Sequence, residues 1–315
     1  MKRHQVLIVG ELNVDLILSN IEGQITIGKE IFSRDMTLTL GSSSAIFANN
    51  LTRLGTKVSF VGRIGRDSFA DLVMSSLEKA GVDITNIIET ADNYTGITVA
   101  MSYGDDRAMV TYPGAMSDLT VDDITDAHLR SAQHMHVSSI FLQEGLLPGI
   151  VPLFRRAKEM GMTTSLDPQW DPHEKWNVDL EALLPFVDIF LPNEAELMNM
   201  TGTKTITAGI DKILPFAHHI VVKQGVRGAS LFYENSRIDM PAFLNENVVD
   251  AIGAGDSFNS GFINAFIQGK SLKTCMERGA VTGAINTTAA GGTKAFEDLT
   301  SVKKMAMEKF NHRLD

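Results

Sequence analysis

One cysteine, Cys275, in a chain of 315 residues excludes any intrachain disulfide. No apolar stretch reaches the roughly 18 residues of a membrane span. The apolar run after the basic start, Val6 to Val9, is too short for the core of a signal peptide. No block of like charge runs beyond a few residues. With a formal net charge of −10, this argues against nucleic acid or an anionic membrane surface as partner. It leaves an anionic small substrate open, because local fields can oppose the net charge. Internal repeats and low-complexity segments are absent. So are a Gly-x-x-x-x-Gly-Lys-Ser/Thr loop and a Gly-x-Gly-x-x-Gly after a strand, which removes support for P-loop and dinucleotide-binding readings. What is present, 44% hydrophobic and 21% charged residues, suits a soluble globular enzyme with the cytoplasm as expected location.

The chain alternates short β-branched runs with helical patterns, which predicts an α/β fold, a mostly parallel sheet covered on both faces. Strands are expected at Val6–Val9, Val58–Val61, His134–Val137, Thr163–Leu166, Ile189–Leu191 and Ile220–Lys223. Helices are expected at Ser44–Leu54, Ser68–Lys79, Pro148–Met160, Glu194–Met200, Asp256–Gln268 and Leu272–Thr288. Asp67 is the expected cap of the second helix and Gly81 its stop. Two segments break the alternation. Leu12–Leu40 and Thr95–Tyr112 carry strand patterns such as Ile97, Val99, Met101 with no helix between strands, and predict a small β layer beside the main sheet.

The most informative run is Asp250 to Phe258, Asp-Ala-Ile-Gly-Ala-Gly-Asp-Ser-Phe. Phe258, Phe262 and Phe266 recur at helical spacing, so Gly253, Ala254 and Gly255 lie at a helix N-terminus. There the first N–H groups lack intrahelical partners, small side chains let an anion approach, and the helix dipole favours negative charge. Asp256 falls in the first turn. A carboxylate beside a phosphate cradle repels what it would bind, but it suits a base that takes a proton from a hydroxyl attacking phosphorus. The plain structural reading of a lone Gly-x-Gly-Asp is a capped helix with a tight turn. A second constellation follows the first strand, where Asn13 and Asp15 are two apart and face one side. An amide that donates and accepts, beside a carboxylate that accepts from neighbouring hydroxyls, suits a polyol. The plain alternative is a polar strand end.

The full run from Asp250 through Asn259 and Gly261 resembles the C-terminal signature of the ribokinase-like (PfkB) family of carbohydrate kinases. Residues Gly41 to Gly55, Gly-Ser-Ser-Ser-Ala-Ile-Phe-Ala-Asn-Asn-Leu-Thr-Arg-Leu-Gly, resemble its N-terminal signature, with Ser42 where relatives carry a second Gly and Ile46 where they carry a sugar-contacting Asn. The resemblance covers nearly the whole chain. It implies one ribokinase-like domain over 1–315, a β lid from about 12–40 and 95–112 that often makes a homodimer contact, and transfer of the γ-phosphoryl of ATP to a hydroxyl of a small sugar. It implies Asp256 as base, with N–H groups around Gly253, Ala254 and Gly255 stabilising charge. Asn13, Asp15, Gly41 and Ser42 are then assigned to the sugar, and Arg107 of the lid reaches toward it unless it is simply a solvated strand residue. By the same resemblance Asn193 and Glu196 match an Asn-x-x-Glu near metal and phosphates, Glu196 acting on Mg²⁺ through water. The bland reading of that pair is a capped surface helix. Lys223, Gly225 and Gly228 match a loop along the nucleotide, Asp250 a monovalent-cation site for K⁺, and Gly291-Gly292 the closure of the adenine pocket. Ala280 stands where relatives often have Asn or His near the adenine.

Two features shape the substrate expectation. Asp167-Pro168-Gln169-Trp170-Asp171 ends a central strand on the ligand side of such sheets. Some acid-sugar kinases of the family carry an Arg shortly after such an Asp-Pro, and Trp170 and Asp171 occupy that place, which argues against a 2-keto-3-deoxy acid. His134 and His136 alternate on a buried strand and read as core residues rather than metal ligands. The alternatives to a sugar kinase are a nucleoside kinase on the same fold and a sugar-binding regulator without turnover.

Overall fold

The computed structural model describes residues 4–103 and 106–314. Its main sheet has nine strands in the order β13 (Ser236–Met240), β12 (Ala229–Tyr233), β11 (His219–Lys223), β10 (Ile189–Phe190), β9 (Thr163–Asp167), β8 (His134–Ser138), β1 (Val6–Val9), β4 (Val58–Ile64), β5 (Asp83–Glu89). All neighbours from β11 to β5 pair parallel, and only β12 and β13 run antiparallel at one edge. All four β1 residues are buried. Their period-2 alternation divides them between two cores: Val6 and Ile8 face one, Leu7 and Val9 the other.

Helices α1 (Ser43–Arg53), α2 (Ser68–Ala80), α8 (Ala254–Ile267) and α9 (Leu272–Asn286) supply the first core. Helices α4 (Ile150–Glu159), α5 (Leu180–Leu183), α6 (Glu194–Thr201) and α7 (Ile206–Ile213), with the short α3 (Asp126–Ser131), supply the second. The last helix, α10 (Leu299–Phe310), covers a satellite cluster with α9. Phe258 and Phe262 of α8 are buried as their spacing predicts, while Phe266 is half-buried. Asp67 caps α2 through Phe69 and Ala70, and Gly81 ends it at φ 93°.

A second sheet of four strands, β3 (Ser33–Leu40), β2 (Asn13–Ile21), β6 (Gly96–Tyr103), β7 (Asp106–Tyr112), forms the lid. Its β2 pairs antiparallel with β3 and parallel with β6. The two segments that broke the sequence alternation thus become one sheet. Helices α3, α5, α7 and α10 and strands β5 and β13 were not anticipated. The six anticipated sheet strands are all present, each within three residues of its expected ends. Among the described residues no helix is long and apolar enough to cross a membrane.

Candidate active site

Strand order reverses at β1, which has β4 on one side and β8 on the other, and the polar residues collect beyond the carboxyl ends of these strands. From β1 come Glu11, then Asn13 and Asp15 as the chain enters the lid. From β9 come Asp167 and Gln169, from β11 Lys223, and between them rises α8. Gly253 begins α8 at φ 76° with no side-chain cap, which leaves the amides of its first turn aimed outward. A Cβ on Gly253 would lie 2.6 Å from Gly292 Cα and 3.3 Å from Ile46 Cγ2, so the turn is wedged against α1 and the loop after α9.

Asp256 is buried, and its Oδ1 accepts from Ser43 Oγ and from Gln169 Nε2 at 3.2 Å. Oδ2 makes no hydrogen bond to the described residues and is left for the cavity. Burial, with Asp167 adding repulsion, pushes the Asp256 carboxyl up to about 7, against the pull of Ser43 and Lys223. Asp167 is a hub: its Oδ2 accepts from Lys223 Nζ at 2.6 Å, Gln169 Nε2 at 3.0 Å and Asn259 Nδ2. Its Oδ1 is buried without a partner.

Two cavities meet at this turn. The larger, about 530 Å³, is lined by Asn13, Asp15, Arg107, Trp170, Gly253 and Asp256, among others. Asn13 Nδ2 donates to Thr98 Oγ1 at 3.0 Å, while Asn13 Oδ1 is buried and unpartnered. Burial raises the Asp15 carboxyl to about 7, opposed by the charge of Arg107. Gly41 makes room for this pair, since a Cβ there would lie 2.3 Å from Asp15 Oδ1 and 2.5 Å from Asn13 Oδ1. The smaller cavity, about 320 Å³, is lined by Lys223, Gly225, Gly228, Ala254 and Gly255, with Ala280 and apolar side chains beyond. Ala254 and Gly255 thus face one cavity, and Gly253 and Asp256 the other.

The remaining sequence-selected residues stand around these walls. Ser42 lines the larger cavity, but its hydroxyl donates to the Glu11 carbonyl at 2.6 Å and accepts from Ala45 N at 2.9 Å, capping α1. It adopts φ 67°, a region natural to the Gly that relatives carry. Neighbouring Ser43, not Ser42, reaches Asp256. Asn193 and Glu196 form a reciprocal capping box at the start of α6. Glu196 is nonetheless buried, and burial with the charge of Asp167 raises it to about 7. Asp250 lines neither cavity; its carboxylate accepts from Ile252 N and Gly291 N, both at 2.9 Å. His134 and His136 each have both ring nitrogens hydrogen-bonded to hydroxyls, those of Thr163, Ser165 and Ser138. Burial lowers His134 to about 3 and keeps both rings neutral. Residues the motifs gave no role are Glu11, Asp167 and Gln169; Ser43, grouped in the sequence with Ser42 and Ser44 as a possible sugar contact, bonds to Asp256 instead. The one local signal for Asp167 and Gln169 was their place at the ligand end of a central strand.

The model of the pfkB family carbohydrate kinases matches residues 3–299. The chain is 28% identical over 271 residues to a 2-dehydro-3-deoxygluconokinase of Bacillus subtilis, across 80% of this chain and 82% of that one. It is 28% identical over 236 residues to a nucleoside kinase of Methanothermobacter thermautotrophicus, across 75% and 74%. Among solved structures, Arabidopsis thaliana ribokinase complexed with ribose and ATP superposes with a TM-score of 0.82 at 25% identity, covering 96% of this chain and 98% of that one. A match of this extent, on a chain that joins a polar and an apolar cavity at one helix turn, places the protein in the pfkB family of carbohydrate kinases.

Proposed function

We propose that the chain transfers the γ-phosphoryl group of ATP to a hydroxyl of a small neutral sugar. The observation that carries this reading is the shared first turn of α8, which gives its amides to one cavity and Asp256 to the other. The sugar lies in the larger cavity, where Asp15 and the open Asn13 Oδ1 accept hydrogen bonds from its hydroxyls. Asp256 Oδ2 accepts the proton of the attacking hydroxyl as its oxygen bonds to phosphorus and the bond to the ADP oxygen breaks. The amides of Gly255 and Asp256 meet the charge on the transferring group, with the Lys223 ammonium nearby, 3.7 Å from where a Cβ of Gly255 would lie. A turnover-free regulator would have no use for a buried carboxyl with one oxygen held in place and the other free.

The neutral substrate follows from charge. Glu11, Asp15, Glu144 and Asp256 line the cavity against Arg107 and His173. Asp171, which with Trp170 takes the place of the Arg of some acid-sugar kinases, is buried and spent on the amides of His173, Lys175 and Trp176. A nucleoside is the second reading, favoured by the half-exposed Trp170 and the Phe141 side chain on the same wall. The exposed apolar residues of the lid, such as Met36 and Val110, suit a homodimer contact there.

Among the described residues no group of three His, Cys, Asp or Glu is arranged to grip a metal directly. The buried, open Asp167 Oδ1 and Glu196 fit Mg²⁺ held on phosphates through water, and would hold it there. When bound, Mg²⁺ neutralises phosphate charge. Asp250 fits a K⁺ site with oxygens that keep further lone pairs, and K⁺ should then raise activity in wild type but not in Asp250→Ala. The test of the main reading is a coupled assay with ATP and Mg²⁺ over neutral sugars, sugar acids and nucleosides. A neutral sugar should turn over best. Turnover of none, or preference for a sugar acid, would sink the proposal.

A further inference from the structure

The smaller cavity offers a nucleobase shape and contact but little to read. Beyond Lys223 and the glycines, its wall is built from Val226, Phe243, Leu244, Val248, Phe258 and Ala280. Its two other polar side chains are already committed to each other. Asn245 Nδ2 donates to the Asn247 carbonyl at 3.1 Å and to Thr287 Oγ1 at 3.0 Å, which uses both amide hydrogens. Asn245 Oδ1 accepts from Asn247 N at 3.1 Å. The Thr287 hydroxyl hydrogen goes to the Ala284 carbonyl at 2.7 Å. Lys223 is held by Asp167 and Asn259 at the Gly255 end. Three backbone donors on the wall are also taken, Gly228 N by Gly225, Ala254 N by Ala251 and Thr287 N by Ala284, while the amides of 242–245 and 248 make no such backbone bond among the described residues.

Adenine and guanine are the same shape to first approximation and differ in their edges. At C6 one carries an amino donor and the other a carbonyl acceptor, and guanine adds a donor at N2. Telling them apart strongly requires buried partners that one base leaves unpaired. An apolar wall discriminates between near-isosteres by at most about a hundredfold, whereas a site built to hydrogen-bond reaches about 10⁴-fold. Here Leu244, Val248 and Val226 stand 68%, 60% and 82% exposed at the mouth, so a base edge also keeps access to water, which satisfies either pattern.

We infer that this cavity takes purine nucleoside triphosphates by shape, without reading the purine edge, so that the enzyme uses ATP, GTP and ITP with comparable efficiency. The inference rests on the reading of this cavity as the donor site. Pyrimidine triphosphates lack the second ring and lose part of the apolar contact, so UTP and CTP fall behind.

The test is displacement of a ribose-labelled fluorescent ADP by Mg-ATP, Mg-GTP, Mg-ITP and Mg-UTP, with no acceptor present. The three purine Kd values should agree within about tenfold, with UTP weaker than all of them. Asn245→Ala and Thr287→Val should each leave the ATP-to-GTP ratio within about threefold of wild type, a readout that partial unfolding does not move. An ATP preference above about a hundredfold would overturn the inference, assign base reading to the 242–248 backbone, and leave the donor-site reading standing. A ratio that collapses in either variant would overturn it in favour of that side chain. If the labelled ADP does not bind at all, the donor-site reading fails and the inference with it.

Discussion

The two cavities that share the α8 turn are built on opposite terms. The sugar side is acidic and hydrogen-bonded, with Asn13 tied to Thr98, Gln169 bridging Asp167 and Asp256, and Ser42 tied to Glu11. The donor side is a wall of aliphatic and aromatic carbon whose polar side chains are turned on one another. Buried polar groups are costly when unmatched, so the first arrangement rejects wrong partners. Apolar contact is forgiving, so on the proposed reading the second would hold a common cosubstrate through its phosphates and leave the base to fit. Selectivity would then be concentrated where the substrate varies.

The sharpest way to break this contrast is at Asp256. Asp256→Asn should lose about 10²–10⁴-fold in kcat while nucleotide binding is retained. Steady-state kinetics on a purified variant that kept more than half of wild-type kcat would remove the base assignment. A second effect follows from the carboxyl standing near 7. In wild type, kcat/KM for the acceptor should fall about tenfold per pH unit below 7, as the base becomes protonated. The same shift acts on stability. The folded pKa lies above the unfolded value of 3.8, so the folded state binds the extra proton, and its stability declines as pH rises from about 4 to 7. Asp256→Asn, which never ionises, should therefore gain in Tm over wild type more at pH 8 than at pH 5. A difference in Tm that is flat with pH would contradict the raised pKa.

Next comes Asp15. Charge-assisted bonds to sugar hydroxyls contribute about 1.5–3 kcal/mol each. Asp15→Ala should lower kcat/KM for the sugar by at least about tenfold and barely move KM for ATP. Equal losses on both substrates would mean that Asp15 supports the lid rather than the sugar. On the donor side, Leu244→Ala trims an exposed wall and should raise KM for ATP by only about threefold, with no change for the sugar. A large, donor-specific loss would make the apolar wall as exacting as the polar one. The smallest effect tests the rigidity of the sugar side. Ser42→Ala keeps the positive φ and loses both hydrogen bonds, and should cost about 1–2 kcal/mol in denaturant unfolding. Ser42→Gly loses the same bonds but relieves the backbone, and should cost less than about 1 kcal/mol.

Much of the frame was legible because it is local. Four to seven apolar residues bounded by turns identify a parallel strand, and Asp67 and Gly81 declare the ends of α2 through their own chemistry. The lid was legible as an interruption of the alternation. Helices α7 and α10 escaped because they sit on the periphery, where few positions are buried: only Val302 and Ala306 of α10 are. In the site, Asp256 and Gly253 could be read from one run because a helix terminus is made of consecutive residues. The Lys223–Asp167 contact joins positions 56 apart, and Gln169 to Ser43 joins positions 126 apart. Such pairings depend on which strand ends lie side by side, and nothing in either local segment announces the other. Ser42 was read as a possible hydroxyl donor to substrate, since sequence does not reveal that a backbone at φ 67° already claims that hydroxyl.

One detail of the lid has a mechanical side. The chain leaves the main sheet at β1 and becomes lid at Asn13, so the pair proposed to bind the sugar occupies the root of β2 and not its tip. For a rigid leaf turning about its root, displacement grows with distance from the pivot. Asn13 and Asp15 would travel least, and the far ends of the strands, at Ile21, Ser33 and Tyr103, would sweep a wider arc. A swinging leaf attached in this way can admit and seal in a substrate while the grip that aligns the substrate with Asp256 stays nearly still.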